Sequence, residues 1–200
     1  MDESGNAAMQ RNVQLLYEVG ALRQLKRTWS QFLGADIANV AEHSFRVALI
    51  ALMLAAIEGK GDSGRIAKLA LIHDLAESRT GDVNMVQALY TKRDDAGALR
   101  AMVDGTALAD ELIALFEEYE ARETFEARLV KDADHLDCEF ELGESTCRGG
   151  QIEAALREDR DGQVFPRLFS EAARALWQAR KEANATDWYT KGRNRFHPDR

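Results

Sequence analysis

Apolar residues recur along this chain at helical spacing, and no stretch alternates apolar and polar with the two-residue period of a half-buried strand. From Ala7 to about Gln24 the residues Leu15, Leu16, Val19, Leu22 and Leu25 form the apolar stripe of a first helix. "FLGAD" interrupts it. "NVAE" at 39–42 then reads as a capping box, in which Asn39 accepts from the backbone at Glu42 and the Glu42 side chain reaches back. The helix that starts there runs to about Glu58 and is apolar on most faces ("VALIALMLAAI"), which predicts a place at the centre of the fold.

"GKGDSG" is a loop, and Asp62 or Ser63 can cap a third helix, "RIAKLALIHDLAES", whose last turn carries His73, Asp74 and Glu77. Gly81 in "RTGD" ends it, and Asp82 opens the next element. Residues 94–120 read as a single charged outer helix. "ETFEARLVKDADHLDCEFELGEST" is another helix, with Phe125, Leu129, Val130, Ala133, Leu136 and Phe140 on one stripe. "FPRLFSEAARALWQARKEAN" is a last helix with Pro166 in its first turn, where the missing N–H costs little. The expectation is all-α: one domain over 1–200, with its core at about 7–185 and a basic, loosely held tail from about 189 that includes His197.

Composition narrows the class. With 200 residues, 46% hydrophobic and 30% charged, the chain can bury about two thirds of its unfolded surface without staples. A net charge of -8 argues against coating nucleic acid, since that affinity comes from Lys and Arg neutralising phosphates. Cys138 and Cys147 are too few for a disulfide framework and are read as reduced thiols. "MDESGNAAMQ" has neither the basic start nor the apolar core of a signal peptide, and no uncharged run reaches membrane-span length, so the expectation is cytoplasmic and without a membrane partner.

His43, His73, Asp74 and Asp134 stand at or near helix ends within otherwise apolar stretches. Buried carboxylates and imidazoles are costly without partners, and one divalent cation would satisfy several while leaving positions open for water or a phosphate oxygen. Each residue taken alone has a core-packing alternative; the joint order "AEHSFRVALIA", "LIHDLAESRTGD", "LVKDADHLD" does not.

In that order the chain resembles the HD-domain metal-dependent phosphohydrolase superfamily. From Trp29 to Asp134 it looks like the bacterial 5'-deoxynucleotidases and their eukaryotic relatives. The resemblance implies an HD-domain bundle that removes phosphate from (deoxy)ribonucleoside 5'-monophosphates. It implies His43, His73, Asp74 and Asp134 as metal ligands, Glu77 and Asp82 as the acidic residues beside the phosphate, and a homodimer with the last helix and the long charged helix as candidate contacts. Asp132 competes with Asp134 as a ligand, but Asp134 is the one that aligns, leaving Asp132 as solvated helix surface.

Glu77 lies three residues from Asp74 and four from His73, on their face of a helix, where it could orient water or protonate the leaving oxygen. Its alternative is a surface ion pair with Arg79 or Lys68; that of Asp82 is an N-cap. The other histidines are His135 and His197, so one cation is expected; the mixed N and O ligands suit Mn, Co, Ni, Fe or Zn better than Mg. Candidate substrate contacts are Arg27, Thr28, Trp29, Arg46, Asn84 and Lys131, with a Glu42 ion pair as the alternative for Arg46 and core packing for Trp29. The bacterial nucleotidases carry Arg-Trp where this chain has Thr28-Trp29, and Arg27 is the nearest substitute. Alternative readings are a nucleoside triphosphate hydrolase of the same fold and a nucleotide-binding module that keeps the metal without turnover.

Overall fold

The computed structural model describes residues 3–34 and 36–192, so His197 and most of the expected tail lie outside the described residues. The helices in chain order are α1 Glu3–Gly20, α2 Ser30–Leu33, α3 Val40–Glu58, α4 Ser63–Ile72, α5 Glu77–Thr80, α6 Asp95–Val103, α7 Ala109–Ala121, α8 Phe125–Cys147, α9 Ile152–Asp159, α10 Glu171–Glu182 and α11 Asp187–Thr190. Among the described residues there is no strand, only an isolated bridge between Lys26 and Asn39. The all-helical single domain follows from the apolar period.

The core forms where α3 packs on α4 and α8, with α10 closing against α8 and α3 and α7 against α4 and α8. Val47, Leu54, Ile66, Leu69, Leu129, Leu136 and Trp177 are fully buried there. Each such side chain contributes roughly 1.5–3 kcal/mol relative to exposure. The capping box that starts α3 is present: Glu42 N donates to Asn39 Oδ1 at 3.0 Å and Asn39 N to Glu42 Oε2 at 3.1 Å. Asp62, rather than Ser63, caps α4.

Several expectations need correction. α3 is not enclosed, because Phe45, Leu49, Met53 and Ile57, spaced by four residues, remain 51–66% exposed on one side. The charged stretch 94–120 is two helices, since Asp104 and Gly105, the latter at φ 70, break it where the chain must reverse to pack α6 on α7. Pro166 sits in a separate 3-10 turn, Phe165–Arg167, and α10 begins only at Glu171 behind its Ser170 cap. Asp132 is not solvated surface: it is 2% exposed and accepts from Phe169 N, Ser170 N and Ser170 Oγ, each at 2.8 Å, fixing the start of α10. The sulfurs of Cys138 and Cys147 are free thiols.

Candidate metal centre

The third predicted helix stops early. α4 ends at Ile72, and the chain continues through tighter i to i+3 bonds, Leu75 N to Ile72 O at 3.0 Å and Glu77 N to Asp74 O at 3.1 Å, before α5 starts at Glu77. His73, Asp74 and Glu77 therefore occupy a turn between two helices rather than one helical turn, yet all three line the same cleft of about 120 Å³. Asp82 opens no helix. It accepts from Thr28 N at 2.7 Å and Thr28 Oγ1 at 3.3 Å, tying the loop after α5 to the segment before α2.

His43 from α3 and Asp134 from α8 complete the cluster. His43, His73 and Asp134 each place one ligand atom within 4.8 Å of the others, and the two Nε2 atoms stand 3.3 Å apart. Asp74 Oδ2 stands 3.4 Å from His43 Nε2 and 3.2 Å from His73 Nε2; Asp134 Oδ1 stands 3.3 Å from His43 Nε2. Two further contacts orient the rings. His43 Nδ1 is 2.6 Å from Asp137 Oδ2, and His73 Nδ1 is 2.7 Å from Ala70 O. An oxygen that only accepts requires the proton on Nδ1, so it is the Nε2 atoms that face the cluster, and in the neutral rings these are the ligating nitrogens.

Burial alone would push His43 toward neutrality, but Asp134, Asp137 and Asp74 hold its pKa well above the ordinary value. Asp74 and Asp134 are half-buried beside it, and both stay well below the usual carboxylate range despite their loss of solvent, Asp74 through the two imidazoles and Asp134 through Lys131 and the imidazoles. Such a field favours a cation, and a divalent ion competes with the proton for the same nitrogen lone pair. The donor set, two oriented imidazoles and two carboxylates at one cleft, fits a divalent metal of the kind that tolerates mixed N and O ligands.

Glu77 is 6% exposed, and burial, with Asp74 and Asp82 nearby, pushes its pKa up to about 8 despite Arg27 and Arg93. Neither expected ion-pair partner meets it: Arg79 pairs with Glu18 and Lys68 with Glu111. Arg93 does, at 3.0 Å from Oε1, and also donates to Gly81 O at 2.7 Å.

The substrate candidates divide. Lys131 faces the cleft, 2.7 Å from Asp134 Oδ2. Arg27 is buried behind it, 3.3 Å from Asp74 and 3.6 Å from Asp82. Arg46 is held by Asp137 and by Glu144 at 2.5 Å, so its partners are these rather than Glu42, and it braces the residue that orients His43. Trp29 is half-buried under Arg160, with Cζ 5.7 Å from the ring centroid. Asn84 accepts from Val86 N and Gln87 N, capping the next turn. Sequence reasoning missed Asp137 and Arg93. For Asp137 a signal existed, an acid three residues after Asp134 on the same helix; for Arg93 none did.

Comparison with known proteins places the chain in a family. A family model of the HD domain matches residues 19–177. The chain is 33% identical over 135 residues to 5'-deoxynucleotidase HDDC2 of Danio rerio, covering 64% of this chain and 66% of that protein. To 5'-deoxynucleotidase HDDC2 of Dictyostelium discoideum it is 28% identical over 179 residues, covering 81% and 94%. It thus spans just under two thirds of the first relative's length and nearly all of the second's. The crystal structure of a predicted metal-dependent phosphohydrolase from Magnetospirillum magnetotacticum superposes with a TM-score of 0.69 at 25% identity, covering 87% of this chain and 91% of that one.

Proposed function

The chain belongs to the HD-domain family, and from that membership we propose that it is a metal-dependent phosphohydrolase removing phosphate from (deoxy)ribonucleoside 5'-monophosphates. The observation that carries this is the convergence of His43, His73, Asp74 and Asp134 on a cleft that also contains the buried carboxyl of Glu77. The relatives named 5'-deoxynucleotidase support the choice of substrate.

His43, His73, Asp74 and Asp134 would hold a divalent ion, which when bound would supply Lewis-acid chemistry, a lowered pKa for water and polarisation of a phosphoryl oxygen. Asp137 and the Ala70 carbonyl keep both imidazoles in the ligating tautomer. Glu77, raised toward neutral pH, holds a proton it can give to the leaving ribose oxygen, and Arg93 fixes the direction of its carboxyl. Asp82 anchors Thr28, and with it the segment carrying Arg27 beside Asp74.

Metal-stripped protein refilled with Mn, Co or Zn is expected to take up about one equivalent. It should then release orthophosphate from some nucleoside monophosphates in a panel of mono-, di- and triphosphates. Glu77→Ala should bind the same metal and lose at least about 100-fold in rate. Full activity in that variant, or release of pyrophosphate or triphosphate instead, would contradict the proposal.

A homodimer belongs to the same reading. The exposed apolar stripe Phe45, Leu49, Met53 and Ile57 on α3 is a surface that supports it.

A further inference from the structure

Among the described residues, Arg122 is the one non-glycine with a left-handed backbone, φ 56. It closes α7, its N–H donating to Glu118 O at 3.3 Å, at a position glycine fills most easily. Strain of this kind persists where a side chain must be delivered to a fixed place. The guanidinium lies over Tyr119, with Cζ 3.5 Å from the ring centroid, and that ring stands edge-on to His73 with centroids 5.5 Å apart. Arg122 thus enters the cleft beside Lys131 and Asp134.

Its charge is weakly matched there. Nη2 is 3.5 Å from Glu120 Oε1, and Nη1 is shut off from solvent without a hydrogen-bond partner. The other two cations of the cleft are committed, Lys131 to Asp134 at 2.7 Å and Arg93 to Glu77 at 3.0 Å and Asp95 at 2.9 Å. A desolvated guanidinium N–H without an acceptor is costly, and an entering anion removes that cost through a charge-assisted bond.

We infer that Arg122 is a phosphate-recognition residue of this cleft, Nη1 donating to a phosphoryl oxygen of the substrate, with Tyr119 as the aromatic platform that aims it. The inference rests on the phosphohydrolase reading above and adds to it a residue from the end of α7, outside the metal-binding segments. As a binding group, Arg122 acts on KM more than on kcat.

Titration calorimetry of metal-loaded protein with inorganic phosphate tests this without turnover. Arg122→Gly, which suits the backbone, is expected to keep or raise Tm, to take up the same equivalent of metal, and to bind phosphate at least about tenfold more weakly. Arg122→Lys should recover part of that affinity, and KM for a hydrolysed monophosphate should rise with the phosphate Kd. Unchanged phosphate affinity in Arg122→Gly, or a parent protein that binds no phosphate, overturns the inference. A parent that binds phosphate through Arg122 yet hydrolyses no nucleotide overturns the nucleotidase reading and leaves this one standing.

Discussion

Glu141 lies one turn beyond Asp137 on α8, 2% exposed, and neither of its carboxylate oxygens has a hydrogen-bond partner. Burial first, and then the charge of Asp137, push its pKa up to about 7, partly offset by Arg27, His43 and Arg46. The folded protein therefore binds this proton more tightly than the unfolded chain, where a glutamate titrates near 4.3. Between those values stability falls as pH rises, because only the native state still holds the proton. Glu141→Gln removes the ionisation and keeps the shape, so it should stabilise by about 1–3 kcal/mol at pH 8 and by much less at pH 5. Urea denaturation at both pH values measures this; an equal effect at the two would mean that ionisation is not the cause. The same scale explains why Asp137 escaped sequence reasoning: its spacing from Asp134 is local, but its task is set by His43, 94 positions away.

At the scale of elements, α10 is held at its start by Asp132 rather than by its own sequence alone. Three bonds of 2.8 Å run from Phe169 and Ser170 to that carboxylate, and Ser170 in turn caps Ala173 N at 3.1 Å. Asp132→Ala should cost about 1–3 kcal/mol and speed hydrogen exchange in α10 more than in α3, while the protein still binds one metal equivalent. Loss of metal with α10 intact would instead make Asp132 a ligand. Helix positions were largely legible from the apolar period, and so were the caps at Asn39 and Asp62, but other ends were not. The break after Ile72 places His73 and Asp74 in a turn, and the break at Gly105 splits 94–120, because both answer to packing between helices rather than to local propensity.

For the whole molecule, the stripe Phe45, Leu49, Met53 and Ile57 runs about 18 Å along α3 with its side chains in water. Exposed apolar surface favours association, and a two-fold axis crossing this stripe would set it against its own copy, as the proposed homodimer requires. The combined change Leu49→Glu and Met53→Lys should convert a dimer to a monomer in sedimentation experiments, with helix content unchanged. A monomeric parent, or a variant that stays dimeric, would remove this surface from the assembly.

The sequence by itself determined the helical class and the capping box at Asn39, and it singled out His43, His73 and Asp134, which the fold clusters, with Asp74 beside them, because period, caps and short motifs are local and survive without knowledge of the fold. The tertiary structure alone decided that Asp137 orients His43, that Arg93 holds Glu77, that Asp132 secures α10, and that Arg122 enters the cleft. Each of these depends on which helix end meets which other one, and that is settled by packing of the whole core rather than by any neighbourhood in the chain.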